Sequence, residues 1–357
     1  MLVTRKAQEL DVVELTEDLP EYDLKQGDRG AVIGAFGEPD EAYDLEFVDE
    51  SGKSKFAYSV RPDQISTVFI NAEDAFQRGL ELIASGATLE GRRMLRQAVK
   101  VKPSLIETLL NSVLESFGDS EEWSQLVPVL RFIRELDPGY EIARNNLVIA
   151  YLNLGIRTAM NGDVEGALQA FYSASGIEVS QETLSWVKHN LAAAHIELGI
   201  RAHKRAIQEA DPGASLEQYK ITLTNMARAC AIDPHDRTRK NLGLANAFLG
   251  NALLRSGDFS TANTFFEVAE DMGLAFPKLF NNHAIALAKL GHLEASIELL
   301  EKAIEMEPGN ESAKTNLNQI KLALSEKKGE PGYRMEEIDI SFDQAPQMHF
   351  YEYQVAA

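Results

Sequence analysis

The sequence predicts a mainly α-helical protein in which a small all-β domain precedes a long solenoid of paired helices. Residues 1–69 hold short apolar or alternating segments separated by turn-rich stretches, which is typical of a small antiparallel barrel. Residues 70–325 read as helix throughout, and the same pattern of small and large apolar residues recurs along them. Residues 326–357 follow as an acidic tail that contains many aromatic residues. We therefore expect three segments with these boundaries.

The β segment is predicted from four apolar stretches and the turns between them. The stretches are "DVVELT", "GAVIGAFG", "AYDLEFVD" and "SKFAYSV", with "VRPDQISTV" closing the segment. The turns "LKQGDRG", "GEPDEA" and "DESGKS" are rich in Gly, Asp, Pro and Ser, which adopt turn conformations readily. Four or five short strands of this kind predict a small barrel.

Two resemblances bear on this β segment. The stretches "DVVELTEDLPEYDLKQGDRGAVI" and "VRPDQISTV" resemble a bacterial family of SH3-like barrels with no assigned function. The "GDRGAV" turn also resembles the start of the KOW module, which often contacts RNA. Residues 1–68 carry 16 acidic and 7 basic side chains, a net charge of −9, and this balance opposes phosphate binding. We favour a module for protein docking or packing.

The helical segment shows its repeat most clearly in "PKLFNNHAIALAKLGHLEASIELLEKAIEMEPGN", Pro277 to Asn310. Small residues at Ala284, Ser296 and Ala303 let two antiparallel helices approach, and large apolar residues fill the space between them. Pro308 prevents the second helix from continuing. This unit resembles a tetratricopeptide repeat, or TPR. The frame recurs upstream, which predicts about six TPR helix pairs and a last capping helix. The second unit has Pro128 inside its second helix, where we expect a kink.

Three neighbouring repeats, within residues 141–276, have first helices that are longer than the frame requires. Gly155 holds the position where the first helix should end, yet the next turn is at Gly162 and Asp163. The inserted "IRTAMNG", like "NALLRSG" two repeats later, is about two helical turns, so the apolar face shifts by only about 20°. In the repeat between them, "DPG" predicts the turn and "SLEQ" a capping box that starts the second helix. The extensions predict either a partner-binding ridge or mere drift in helix length.

A ladder of asparagines occupies the sixth position of successive first helices. In a TPR fold this position faces the concave groove, and the resemblance implies that such asparagines hold the backbone of an extended peptide. An amide both donates and accepts hydrogen bonds, so it can pair with any peptide unit. The alternative is that asparagine is simply common at this position. The ladder consists of Asn111, Asn146, Asn190, Asn241, Asn282 and Asn316.

Basic residues flank the asparagine ladder although the chain as a whole is acidic. They predict that the bound peptide is acidic. Arg144, Lys188 and Arg239 occupy a fourth position that is normally apolar in this family, which is a departure from its pattern. The flanking residues are Lys188, Arg237, Arg239, Lys240, Lys278 and Lys314.

Composition and motifs argue against several other classes of function. The chain of 357 residues has 35 Lys and Arg against 55 Asp and Glu, a net charge of −20, so we expect no nucleic-acid ligand. We also expect no membrane span, and with Cys230 as the single cysteine we predict a cytoplasmic protein. No phosphate-binding, metalloprotease or zinc motif occurs, so we predict no catalytic residues, no metal and no cofactor. His189, His195 and His203 share one predicted helix on different faces, and Cys230 is expected to be a buried thiol.

These observations predict a non-enzymatic scaffold or assembly factor that binds an extended, acidic segment of a partner protein. The alternative is a regulatory or sensory subunit whose barrel binds a small molecule or a catalytic partner, and a third option is an enzyme whose site lies at the junction of the barrel and the repeats. The tail contains "YRMEEIDISFDQ", itself an acidic extended segment. We hypothesise that it docks in the groove of its own molecule or of a neighbouring subunit. The sequence predicts neither the partner nor the oligomeric state.

Overall fold

The structure, a computed structural model, describes residue 7 and residues 11–37, 41–48, 53–69, 72–117 and 122–325. The predicted tail, residues 326–357, lies outside the described residues. The chain divides into two compact units. One unit is Met1–Glu121 with Pro128–Ala143, and the other is Glu122–Val127 with Arg144–Ala357.

The N-terminal domain is an antiparallel sheet of five strands in the order β4-β3-β2-β1-β5, as the alternating segments predicted. Consecutive strands pair as a meander, and the last strand returns to pair with the first. Val13, Val32, Leu45 and Ala57 alternate with outward residues and are wholly buried in its core. The strands are β1 Val12–Leu15, β2 Arg29–Phe36, β3 Ala42–Val48, β4 Ser54–Val60 and β5 Ile65–Phe69.

The rest of the described chain forms thirteen helices, which correspond to six predicted pairs and a last helix. The first helices of the pairs are α1 Ala72–Ala84, α3 Leu105–Phe117, α5 Glu141–Met160, α7 Gln181–Gln208, α9 Asp236–Ser256 and α11 Pro277–Lys289. The second helices are α2 Thr88–Val101, α4 Trp123–Leu136, α6 Val164–Ser175, α8 Pro212–Ile232, α10 Phe259–Asp271 and α12 Leu293–Met306, and α13 Glu311–Ser325 ends the stack. The predicted fold class is therefore confirmed. Pro128 lies inside α4, which continues through it as one helix, and the expected kink stays a prediction.

The first helices of the third, fourth and fifth pairs are long. α5, α7 and α9 have 20, 28 and 21 residues, whereas α11 has 13. Gly162 and Gly257 provide the turns with φ of +92° and +86°, a backbone region that glycine enters without strain. Asp163 and Asp258 then cap the next helices by accepting hydrogen bonds from Gly166 N and Thr261 N.

The start of α8 differs from the prediction. "SLEQ" was expected to begin this helix at Ser215, but α8 begins at Pro212 with Asp211 as its N-cap. Asp211 Oδ1 accepts from Ala214 N at 2.7 Å, and proline is well suited to the first helical position because its missing N–H needs no partner there. Ser215 Oγ instead donates to Ala206 O on α7 at 2.7 Å, so its side chain joins the two helices.

In the regular repeat frame, a glycine at this position ends the first helix. In the long helices, Gly155 and Gly250 at the same position lie inside the helix and allow close packing. At Gly155, an added Cβ would lie 2.7 Å from Phe171 Cδ1 on α6. At Gly250, it would lie 2.9 Å from Phe266 Cε1 on α10. Each glycine thus makes room for an aromatic ring of the partner helix, and both rings are fully buried.

We predict that Gly155→Ala destabilises the protein although alanine favours helix. The overlap with Phe171 is expected to cost about 1–3 kcal/mol, against about 1 kcal/mol gained in helix propensity. Urea denaturation should show a lower free energy of unfolding than wild type. In Gly155→Ala/Phe171→Leu the loss should be smaller than the sum of the two single losses, because the smaller side chain leaves space. A Gly155→Ala variant at least as stable as wild type would contradict the argument.

Candidate protein-binding site on the first helices

The first helices of successive pairs lie beside one another at the C-terminal end of the stack. α9 contacts α11, and α11 contacts α13, in addition to their contacts with second helices. The helices α9, α11 and α13 therefore form a row of neighbours. The asparagine ladder places Asn241, Asn282 and Asn316 on these three helices, and Asn190 holds the same position of the repeat frame on α7.

The burial of the ladder is uneven. Asn111 on α3 is exposed and Asn146 on α5 is half-buried. Asn190, Asn241, Asn282 and Asn316 are wholly buried in this structure, and each has polar partners. Asn190 Nδ2, for example, donates to Trp186 O one turn earlier at 3.1 Å. Peptide binding by the ladder stays a prediction.

Four asparagines form a hydrogen-bonded chain across α9, α11 and the last helix, α13, which we call the amide chain. Asn316 Nδ2 on α13 donates to Asn281 Oδ1 on α11 at 3.0 Å. Asn281 Nδ2 donates to its neighbour Asn282 Oδ1 at 3.0 Å, and Asn282 Nδ2 donates to Asn251 Oδ1 on α9 at 2.8 Å. The chain fixes the orientation of each amide relative to the next.

Sequence reasoning identified only half of the amide chain. Asn282 and Asn316 were found because they share the sixth position of the frame. Asn251 lies in the inserted "NALLRSG", and Asn281 precedes a ladder residue in "NN". The doubled asparagine is the one signal in the sequence that could have suggested a polar connection between neighbouring helices.

The predicted basic residues cluster near the N-terminal ends of first helices. Arg237, Arg239 and Lys240 occupy the first turns of α9 and are exposed, as is Lys188 on α7. Lys278 is the second residue of α11 and is half-buried. A helix N-terminus carries partial positive charge, so both the basic side chains and the helix dipole attract anions to these helix ends. Of the two remaining cations, Lys314 lies 2.7 Å from Glu311 Oε1, and Arg144 Nη1 lies 3.8 Å from Glu178 Oε2.

The long helices enclose a cavity of about 320 Å³ where α7 ends, α8 begins and α9 ends. We call it the extension cavity. Its wall includes residues that the regular repeat frame lacks, because they come from the inserted segments. Asn251 lines the cavity and also belongs to the amide chain, so the two features are continuous. Other lining residues are Ala206, Leu216, Tyr219, Ala252 and Arg255.

Two of the three histidines on α7 are buried, each with neighbours of its own. His195 lies between Tyr172 Oη, 2.9 Å from Nε2, and Asn225 Oδ1, 3.0 Å from Nδ1. His203 stacks on Phe248 with ring centroids 4.2 Å apart and meets Tyr219 edge-on. Burial lowers the pKa of His195 and lowers that of His203 to about 4. His189 Nδ1 lies 3.8 Å from Asp233 Oδ2.

Possible metal ligands and long apolar helices in the described part of the chain bear on two other kinds of site. Within it, no three His, Cys, Asp or Glu side chains are grouped so that they could hold a metal ion. None of the helices described is long and apolar enough to cross a membrane. Cys230 on α8 is half-buried, whereas a buried thiol was expected, because its position in the frame follows the tightly packed Ala229 rather than coinciding with it.

Comparison with known protein families supports the resemblance to the TPR and the resemblance to a β family with no assigned function. Residues 277–310, which contain α11 and α12, match the family model of the tetratricopeptide repeat. The helices form a TPR-like solenoid. Residues 9–67, which contain most of the sheet, match the family described as "Domain of unknown function (DUF4926)". Among curated proteins, none matches the sequence.

Solved TPR structures are similar to this chain at low sequence identity. The TPR domain of P58(IPK) is 16% identical with a TM-score of 0.29, over 71% of this chain and 65% of that domain. YrrB, described as a TPR protein with an unusual peptide-binding site, is 17% identical with a TM-score of 0.24, over 61% of this chain and 95% of YrrB. TTC0263, a TPR protein of Thermus thermophilus, is 14% identical with a TM-score of 0.24, over 70% of this chain and 99% of TTC0263. At these values no property of those proteins is transferred to this chain.

We predict that His203 makes the helical unit sensitive to acid. Because the folded pKa of about 4 lies below the unfolded value of 6.5, the unfolded chain binds more protons between these values. Stability should therefore fall as pH is lowered through this window, by about 2–3 kcal/mol at pH 4.5 from this residue. His203→Phe should remove that part of the loss, measured as the difference between urea unfolding at pH 7 and at pH 4.5.

The matched control is His292→Phe, at an exposed histidine in the turn before α12. This variant should keep the wild-type difference between the two pH values. An unchanged difference in His203→Phe would refute the assignment of the acid sensitivity to His203.

Proposed function

We propose that this protein is a non-enzymatic scaffold or assembly factor whose helical repeats bind an extended, acidic segment of a partner protein. The TPR-like fold is typical of proteins that bind other proteins. The observation that carries the proposal is the amide chain, which joins the neighbouring helices α9, α11 and α13. A ligand that fits this arrangement is a peptide backbone with acidic side chains.

The amide chain suits a peptide backbone in chemistry and in spacing. A primary amide has two N–H donors and an oxygen that can accept two hydrogen bonds, so one residue can bond a neighbouring amide and a ligand together. Neighbouring packed helices lie about 8–10 Å apart, which corresponds to about three residues of an extended chain. One amide on each helix therefore meets an extended peptide about once every three residues.

The charge of the ligand follows from the helix ends. Arg237 and Lys240 are exposed on the first turns of α9, and Lys278 lies on the first turn of α11. Local positive charge on a chain with a net charge of −20 favours an acidic segment and gives it a direction along the row. The same net charge opposes nucleic acid as the ligand.

The extension cavity supplies a place for one side chain of the peptide. Leu216 and Tyr219 give it an apolar wall, while Asn251 and Arg255 give it polar groups. A volume of about 320 Å³ accommodates a single large side chain. Because Asn251 belongs to both features, a peptide on the amide chain passes the mouth of the cavity.

We predict that Arg237→Glu/Lys240→Glu loses the partner. The tagged full-length protein would be used to recover partners from an extract of its own cells, with quantification by mass spectrometry. Partners of wild type should be reduced at least tenfold in the variant, and their recovery by wild type should fall as salt is raised.

The matched control for this experiment is Lys100→Glu/Lys302→Glu. It changes the charge by the same amount at two exposed lysines on second helices. The control variant should recover the same partners as wild type. Equal losses in both double variants, or in neither, would show that the first-helix row is not the binding site.

A second candidate function places a partner contact on the β domain, as expected for a regulatory or sensory subunit. Phe56 and Tyr58 lie on edge strand β4, are 42% and 55% exposed, and stack with ring centroids 6.4 Å apart. Large aromatic residues on a surface are favoured at protein interfaces.

The second candidate predicts that Phe56→Ser/Tyr58→Ser loses partners that Arg237→Glu/Lys240→Glu retains. The sheet core should tolerate this change, because both side chains point away from the buried Ala57 between them. A circular dichroism spectrum like that of wild type would verify this. If the β4 variant recovers every wild-type partner, the β domain has no partner contact at this site.

A further inference from the structure

The middle parts of three neighbouring first helices are enclosed on every side. All residues of Asn190–Ile196 on α7, Gly243–Asn251 on α9 and Leu279–Ala286 on α11 are buried. A helix that packs with one face and leaves the other to solvent shows exposed residues every three or four positions. These runs include Asn190, Asn251 and Asn282, so the row that holds the amide chain is covered.

The chain contains a segment with the chemistry to cover this row. Residues 326–357 include seven acidic and three basic residues, a net charge of −4, and five aromatic residues. The segment is acidic and has an extended pattern without helical periodicity, which is what the proposed ligand requires. It follows α13, the helix that carries Asn316 at one end of the amide chain.

We propose that residues 326–357 lie along the amide chain of their own molecule and that a partner must displace them. This inference rests on the proposed function, because it names an internal competitor for the same site. The charges are complementary, since Glu336, Glu337 and Asp339 would lie near Arg255 and Lys278, each within about one helical turn of an asparagine of the amide chain. The aromatic side chains of the segment are candidates for the extension cavity.

The chain length agrees with this arrangement. From Ser325 back to the level of Asn316, the chain must cover about 14 Å along α13 at 1.5 Å per residue. Two helix spacings to α9 add about 20 Å. At about 3.3 Å per residue this distance takes about ten residues, and Glu336 and Glu337 stand at that distance from Ser325.

An internal segment of this kind sets the affinity for a partner. A tethered ligand has an effective concentration of about the millimolar range, so even a weak contact keeps most of the sites occupied. The apparent dissociation constant of the partner is then raised by the reciprocal of the fraction of sites that are open.

Hydrogen exchange of the full-length protein, followed by mass spectrometry, tests the proposal. Amides of residues 334–343 should exchange at least tenfold more slowly than those of an unstructured peptide of the same sequence. The protection should be the same when the protein is diluted a hundredfold, because the contact is within one molecule. Glu336→Gln/Glu337→Gln/Asp339→Asn should reduce the protection and increase partner recovery, whereas Glu326→Gln/Glu330→Gln/Glu352→Gln should change neither.

Two results would overturn the proposal. Exchange of residues 334–343 at the unstructured rate in wild type would mean that the segment does not occupy the row. Protection that disappears on dilution would mean that the segment of a second copy occupies it.

The failure of this inference can be told from failure of the proposed function. If only this inference fails, residues 334–343 are unprotected, but Arg237→Glu/Lys240→Glu still loses its partner. If the proposed function fails, residues 334–343 are protected, but Arg237→Glu/Lys240→Glu recovers the same partners as wild type.

Discussion

The helical architecture depends on close approach between the two helices of each pair. Where the partner helix presents a large side chain, the first helix has a glycine, as Gly155 has against Phe171 and Gly250 against Phe266. In the fourth pair, Gly199 faces Met226 in the same way, with Met226 Cε 2.7 Å from the place of a Cβ. Each contact joins a full-sized side chain to bare backbone, which allows dense packing at short interhelical distance. The pairing of the long helices depends on these three contacts.

This constraint explains why the insertions leave the repeat frame intact. Seven residues add nearly two whole turns, so the apolar stripe returns to nearly the same direction and the next helix still meets its partner. The side chains before each insertion therefore keep their phase, and Asn190, Asn241 and Asn282 hold the same position of the repeat frame on α7, α9 and α11. The added turns create new surface beyond the frame, and the extension cavity lies there.

Local sequence patterns predicted the elements well because each element depends on residues close in sequence. Alternation defined the five strands, and the small residues of the frame, with Gly162 and Gly257 at the turns, defined the helix pairs. The start of α8 could not be predicted, because Ser215 could either cap the helix or bond to a neighbouring helix. In the structure its hydroxyl donates to Ala206 O on α7, so Ser215 does not act as the cap. The amide chain was equally hidden, since Asn251 and Asn316 are far apart in sequence and only the stacking of α9, α11 and α13 connects them. Burial of the ladder could not be predicted either, because exposure depends on everything that surrounds a helix.

The inserted segments add a surface that the regular repeats lack. Residues such as Asn251, Ala252 and Arg255 lie past Gly250, beyond the contact that fixes α9 to α10. Substitutions at cavity-facing positions leave that contact in place, whereas Leu253 and Leu254 of the same segment are buried in the helical core. Under the proposed function, ligand specificity would therefore change through the side chains that line the cavity while the supporting frame stays the same.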